Sequence, residues 1–395
     1  MRWASSISRA PALERAIIEA AEQALATLIV RPDLAIAFVS SSYGEDVRAF
    51  AELLPATLRE CTFVGCAAAG VIGAGEECED EPALSLTLAS LPGVTLAARH
   101  FENETLPSAH VRPAVLSSQL GLPSGDDTCP HFIVFADPFT FAPEPLLQLL
   151  DRHYPHSTKI GGLASGGSRP GETALFMDGA VHASGAVCLA MSGNADVRAI
   201  VAQGCRPVGQ PLFVTRAHGN LLLELDGQRP TDVLRTLYAE ANERDRQLLP
   251  HALFLGLVMR PGESRYGHGD YLVRNLLGVD EETGALWIGA ELETNQVVQF
   301  HVRDAVTSAE DVEHALASLD GTPAAPAGAL LFSCLGRGKH LYGRPDHDTD
   351  AFRRHARTTP LGGFFCNGEI GPVRGRTFVH GYTSAFALIQ PRRPA

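Results

Sequence analysis

Apolar positions fall into short unbroken runs at three places that resemble one another. Leu34 to Val39 ends in Ser40-Ser41-Ser42, His131 to Ala136 ends in Asp137-Pro138, and Ala329 to Phe332 ends in Ser333-Cys334. Runs this short, without polar alternation, suit strands buried on both faces. A helical pattern follows each run: Glu45 to Leu58, a helix opened by Pro143 or Pro145 over Leu146, Leu147 and Leu150, and one within Asp350 to Arg357. A second strand then enters a glycine-rich turn. Thr62-Phe63-Val64 leads into Gly65 to Gly70, Lys159-Ile160 into Gly161 to Gly167, and Leu361 into Gly362 to Gly368. Strand-like runs close each unit: Ala83 to Ala89, then Ala174 to Met177 with Ala186 to Met191, then Thr377 to Ile389. The chain reads as a repeated strand, helix, strand, glycine turn and antiparallel strands.

A different stretch separates the second and third units. Asn220 to Leu225 reads as a strand, and Thr231 caps a helix from Asp232 to about Gln247. His251 to Met259 is another buried strand. Tyr271 to Val279 and Ala285 to Gly289 form a hairpin, Gln296 to Val302 is a strand, and Ser308 caps a helix to Leu319. Gly321 to Gly328 reads as a linker. Pro207, Gly209, Pro211 and Gly219 interrupt the pattern, which places a domain boundary near residue 216. The expected fold is α/β: two domains, residues 1–216 and 217–395, with mixed, largely buried sheets flanked by helices, built from related strand-helix-strand units.

Residues 11–30 carry an apolar stripe interrupted by Glu14, Arg15, Glu19 and Glu22. That is an amphipathic helix forming an N-terminal extension, neither an export signal nor a membrane span. No membrane insertion is expected, and the expected location is cytoplasmic. The 395 residues carry 32 basic and 45 acidic side chains, a net charge of −13, which disfavours nucleic acid as a partner. The eight cysteines form no CxxC pair and read as buried, reduced thiols.

Candidate chemistry gathers at strand ends, where open α/β sheets bind ligands. Ser333, Cys334, Gly336, Arg337, Gly338, Gly363, Asn367 and Glu369 fall there in the last unit, and Gly161 and Gly162 in the second. Arg337, between two glycines, offers a planar fork to a carboxylate or phosphate. Asn367 can donate and accept, and Glu369 can pair with Arg337 or hold a ligand's amino group. Glycines let a ligand approach backbone N–H groups. Cys366 with His380 is an alternative thiolate–imidazolium pair. Asp346, His347 and Asp348 with Glu369 or His380 lack the spacing of a known metal motif, so no metal is assigned. No cofactor is assigned either, although noncovalent haem would leave no sequence mark.

The blocks LFSCLGRG (Leu331 to Gly338), GGFFCNGEIGPV (Gly362 to Val373) and HGYTS (His380 to Ser384) resemble the C-terminal signature of the FIST family, the F-box and intracellular signal-transduction proteins. LFLGL (Leu253 to Leu257) and GDYLVRNLLGVD (Gly269 to Asp280) fit it as well. VGCAAAGVIG (Val64 to Gly73) and KIGGLASGG (Lys159 to Gly167) resemble its N-terminal half. The resemblance implies a sensory protein of intracellular signal transduction that binds a small polar, amino-acid-like ligand. With no kinase or chemoreceptor module in the sequence, its output would reach a separate signalling partner in trans. A Cys366-dependent hydrolase or transferase and a haem-based gas sensor are the alternatives.

Overall fold

The computed structural model describes residues 1–58, 61–123, 129–263, 265–321 and 325–392. Part of the expected linker, 322–324, lies outside them. The chain forms two compact units that interleave along the sequence. The first comprises Met1–Val201, Glu313–Val379 and Thr383–Ala395, and the second Ala202–Val312 and His380–Tyr382. A single cut at residue 216 was expected, whereas the third repeat groups with the first two.

The first unit is three copies of one motif. Copy one runs β1 (Arg2–Ser8), α1 (Leu13–Leu28), β2 (Leu34–Ser40), α2 (Phe50–Thr57), β3 (Thr62–Ala68), β4 (Gly70–Gly73), β5 (Glu76–Glu79) and β6 (Leu84–Ser90). Copy two runs β7 (Val94–Phe101), α3 (Pro113–Gln119), β8 (His131–Ala136), α4 (Pro143–His153), β9 (Lys159–Leu163), β10 (Leu175–Met177), β11 (Ala180–His182) and β12 (Ala186–Gly193). Copy three opens with β13 (Asp196–Gln203), and the chain then leaves for the second unit. There it forms β14 (Cys205–Pro207), β15 (Leu212–His218), β16 (Leu221–Leu225), α5 (Pro230–Glu240), α6 (Glu243–Leu248), β17 (Leu253–Val258), β18 (Tyr271–Val279), β19 (Leu286–Ile288) and β20 (Val297–Arg303). Copy three resumes with α7 (Ala305–Leu316), β21 (Gly328–Cys334), α8 (Gly338–Tyr342), α9 (His347–His355), β22 (Leu361–Cys366), β23 (Gly368–Val373), β24 (Arg376–His380) and β25 (Thr383–Gln390).

Each copy builds a six-stranded sheet and lends a hairpin to another copy. The orders are β1-β6-β2-β3-β10-β11, β7-β12-β8-β9-β23-β24 and β13-β25-β21-β22-β4-β5. The central pairs β2–β3, β8–β9 and β21–β22 are parallel. The exchange runs in a cycle: copy one pairs into sheet three, copy two into sheet one, and copy three into sheet two. The inner faces share one core, in which Phe38, Phe135 and Phe332 occupy the same place on the three first strands. Their rings lie 5.5 Å (Phe38–Phe135) and 6.2 Å (Phe135–Phe332) apart, and Phe364 stacks on Phe38 at 4.6 Å. On the outer faces α1 and α2 cover sheet one, and α3 and α4 cover sheet two. The expected N-terminal extension is therefore an integral layer of copy one: Leu13, Ala16, Ile17, Ala20 and Ala24 pack on β1 and β6.

The glycine-rich segments expected as turns are strand for much of their length. Gly65, Gly161 and Gly363 face Ala37, Val134 and Leu331 across the parallel pairs. A Cβ at any of the three would stand 1.9 Å from that neighbour's carbonyl oxygen. Glycine is needed there because the backbones approach too closely for any side chain.

In the second unit β17 pairs with both β18 and β20, so the sheet β20-β15-β16-β19-β18-β17 closes on itself. Leu222, Leu225, Leu255, Leu286, Ile288, Val298 and Phe300 fill its core. The helix expected over 232–247 is two, α5 and α6, broken at Ala241 and recapped by the Asn242 side chain, which accepts from the Asp245 N–H. Ser308 lies inside α7 rather than at its cap.

Candidate functional site

The three close-approach glycines align the copies residue by residue, and the alignment exposes where copy three departs. Ser333 pairs with Ser384 where copy one pairs Val39 with Leu84 and copy two pairs Ala136 with Ala186. Glu369 faces Gly162, the residue after a close-approach glycine. Val71 faces Phe364 and Leu175 faces Cys66 in the same relation. Thr383 precedes Ser384 as Ala83 precedes Leu84 and Gly185 precedes Ala186. Four buried positions that two copies fill with apolar residues or glycine are thus polar in the third, and Val71, Leu175 and Glu369 are all 0% exposed.

These polar residues join one buried network. Arg337 follows β21 and is fully buried. Its Nε donates to Asp348 Oδ2 at 2.8 Å and its Nη2 to Oδ1 at 3.1 Å. Nη2 also donates to the Tyr342 hydroxyl at 2.6 Å. Ser384 donates to Asp348 Oδ2 at 2.5 Å, with the Ser333 hydroxyl 3.5 Å from the same oxygen. His347, which stacks on Tyr342 at 3.5 Å, lies 3.0 Å from Asp348 Oδ1. Burial alone would raise the Asp348 carboxyl. The Arg337 charge and the His347, Arg337 and Ser384 hydrogen bonds overcome it and hold the carboxyl below the ordinary range.

Two further acids border this pair. Glu77, from β5 of copy one, accepts the N–H groups of Asp348 and Thr349 at 3.1 and 3.0 Å and so caps α9. Burial and the Asp348 charge push its carboxyl up to about 8. Glu369 accepts from the Thr383 N–H at 3.0 Å and the Thr383 hydroxyl at 2.7 Å, both on Oε2. Burial pushes its carboxyl up to about 8, offset in part by Thr383, Arg337 and Cys334. Glu369 Oε1 and Glu77 Oε2 have no hydrogen-bond partner.

The structure thus unites Ser333, Arg337 and Glu369 of the expected set, with Cys334 bordering Glu369. Gly161 and Gly162 adjoin Glu369 across the β9–β23 pair, and a Cβ on Gly162 would meet Cys366 Sγ at 2.4 Å. Gly338, at φ +56, leaves room for Glu79, whose carboxylate accepts the Lys339 N–H. Asn367 is exposed, with Nδ2 bonded to the Ala164 carbonyl at 3.0 Å. Gly336 donates its N–H to Cys334 Sγ at 3.4 Å, and Gly363 is the close-approach position of copy three. The Arg337 fork is turned inward on Asp348. Cys366 is fully buried and its thiol lies 3.6 Å from the Phe364 carbonyl. Burial and the nearby Glu369 raise its pKa well above the usual range, the opposite of nucleophile activation. His380 groups with the second unit. Asp348, Thr383, Ser384 and Glu77 were not singled out as ligand residues. Asp348 was visible in the DHD run and Thr383-Ser384 in HGYTS, whereas Glu77, distant in sequence, gave no signal. Among the described residues no group of three His, Cys, Asp or Glu is arranged to hold a metal ion. None of the eight cysteines is in a disulfide.

Sequence comparison places these motifs. The FIST N domain profile matches residues 33–228 and the FIST C domain profile residues 230–372. The chain belongs to the FIST family. FIST domains are sensory domains of signal transduction. Among its relatives, the uncharacterized protein Rv0628c of Mycobacterium tuberculosis is 36% identical over 393 residues, covering 98% of this chain and 99% of that protein. The uncharacterized protein Mb0898c of Mycobacterium bovis is 36% identical over 396 residues, 98% of each. Human F-box only protein 22 is 36% identical over 76 residues, 15% of this chain and 19% of that one. A solved cyanuric acid hydrolase from A. caulinodans aligns over 99% of this chain and 100% of its own at 11% identity and a TM-score of 0.33. Among the described residues no helix is long and apolar enough to cross a membrane.

Proposed function

We propose that this FIST protein is a small-ligand sensor of intracellular signalling, with its ligand engaged at Glu369 in the third copy. One observation carries the reading. Glu369 is a fully buried carboxyl with an unpartnered oxygen, in a position where the fold is satisfied twice over by Val71 and Leu175. Burying a polar group without a partner costs about 1–3 kcal/mol. A cost that the architecture does not require points to use. Thr383 and Ser384 adjoin Asp348, which joins Arg337 and α9, so a change at Glu369 has a packed route to the half-buried Tyr342 and His347. Output passes to a separate protein in trans. The environment of Cys366 stands against the hydrolase alternative.

Native mass spectrometry of freshly purified protein, beside Glu369→Gln, tests the proposal. The expected spectrum shows a small bound mass on the wild type that is missing or strongly reduced on the variant. An equal bound mass on both proteins, or none on either after incubation with a cell extract's small-molecule fraction, removes Glu369 from the reading.

A further inference from the structure

The atoms left without partners define the chemistry of what they bind. Around Arg337 stand three carboxyl groups, Glu77, Asp348 and Glu369, and Asp346 Oδ1 adds a fourth by accepting the Glu77 N–H at 2.6 Å. Two Arg337 nitrogens bind Asp348. Glu369 Oε1 and Glu77 Oε2 are orphaned acceptors, both on residues at least nine-tenths buried, and Thr349 Oγ1, which can donate or accept, is a third orphan beside Glu77. Asp137 adds another acceptor. It directly follows β8, two residues beyond Phe135, which is in register with Gly162, itself in register with Glu369. Strand alternation puts Asp137 and Glu369 on the same inner face of sheet two. Asp137 is fully buried, its Oδ2 accepts from the Thr140 hydroxyl at 2.5 Å, and its Oδ1 has no partner. The copy-one position equivalent to Asp137 is Ser40, whose hydroxyl is satisfied by the Glu81 carbonyl at 2.9 Å.

An anion brought to this region would meet acceptors and the surplus of acid groups, with the Arg337 fork already taken up by Asp348. A donor-rich cation would meet unpaired oxygens. We propose that the Glu369 site takes a small organic cation, an alkylammonium or guanidinium group, and rejects carboxylates. The inference rests on the proposed ligand-sensing role and names the ligand's class. It replaces the expected carboxylate-to-Arg337 contact with an N–H-to-Glu369 contact. Because Glu369 is enclosed, the group that reaches it is small and sheds its water; the Glu369 carboxyl, protonated without a partner, releases its proton to solvent as the cation takes its place, so that the charge is matched there by a carboxylate rather than by water.

Thermal unfolding of the full chain in propylammonium chloride and in sodium propionate, at matched ionic strength and millimolar concentration, reads the class directly. Glu369→Gln is measured in parallel, with its cooperative melt as the check on folding. Propylammonium should raise the wild-type midpoint while propionate leaves it in place. The variant should need roughly tenfold or more propylammonium for the same shift, the loss of one charge-assisted hydrogen bond. Stabilisation by propionate instead, lost in Glu369→Gln, overturns the cation class and leaves the ligand-sensing site standing. No shift with either salt, or a propylammonium shift unchanged in the variant, also overturns the inference. The bound mass on the wild type then decides the sensor reading separately.

Discussion

Glu369 and Asp348 show how two buried acids of one network reach opposite states. Asp348 is paired with Arg337 and stays ionised, while Glu369, whose burial outweighs the help of Thr383, Arg337 and Cys334, keeps its proton to about pH 8. Removing the Asp348 partner leaves a buried guanidinium uncompensated. Asp348→Ala should cost about 3–5 kcal/mol in urea unfolding. A loss below 1 kcal/mol, on the order of a surface ion pair, would contradict the buried pairing. For Glu369 the folded pKa lies above the unfolded value of ~4.3, so the folded chain binds the extra proton. The stability tied to that proton is fully present below ~4.3 and is lost as pH rises through about 8. The urea midpoint of wild type should therefore fall more between pH 5 and pH 8 than that of Glu369→Gln. Parallel slopes would mean that Glu369 is not held protonated. Arg337 was legible as an unusual residue because two glycines flank it after a strand. Its partner was not, because the ion pair joins residues whose order along the chain says nothing about the turn of α8 between them.

At the scale of elements, most of the copies was readable because strands buried on both faces leave unbroken apolar runs. His131–Ala136 and the Tyr271–Val279 hairpin strand appear where the pattern put them. β1 and β7 went unread. Polar residues interrupt both, Ser5 and Ser6 in β1 and Arg99 and His100 in β7, so neither forms an apolar run. The glycine-rich segments misled for a physical reason: glycine marks both a turn and a close backbone approach, and only the parallel neighbour tells them apart. That approach is testable. Gly363→Ala places a methyl group 1.9 Å from the Leu331 carbonyl oxygen and should cost ~3 kcal/mol or more. Gly375→Ala, at a position with nothing near its added Cβ, is the comparison for positive φ alone. Equal costs at the two sites would remove the close-approach account.

For the whole molecule, repetition was visible in sequence but its consequence was not. Hairpin exchange ties copy three to both others, since it lends β23–β24 to sheet two and receives β4–β5 of copy one into its own sheet, so the compact unit is discontinuous along the chain. The second unit lies between β13 and α7, within the one copy whose buried positions turned polar. The other two copies serve as internal controls for what the fold itself needs. They predict that the carboxyl of Glu369 and the hydroxyl of Thr383 are dispensable for folding.

The double variant Glu369→Val, Thr383→Ala installs the residues that copy one uses at Val71 and Ala83. Its equilibrium unfolding by urea, measured beside native mass spectrometry, is the most direct test of the central claim. The account predicts a stability within ~1 kcal/mol of wild type or above it, together with loss of the bound ligand. A loss beyond ~3 kcal/mol with the ligand retained would show that Glu369 serves the fold and that the site lies elsewhere.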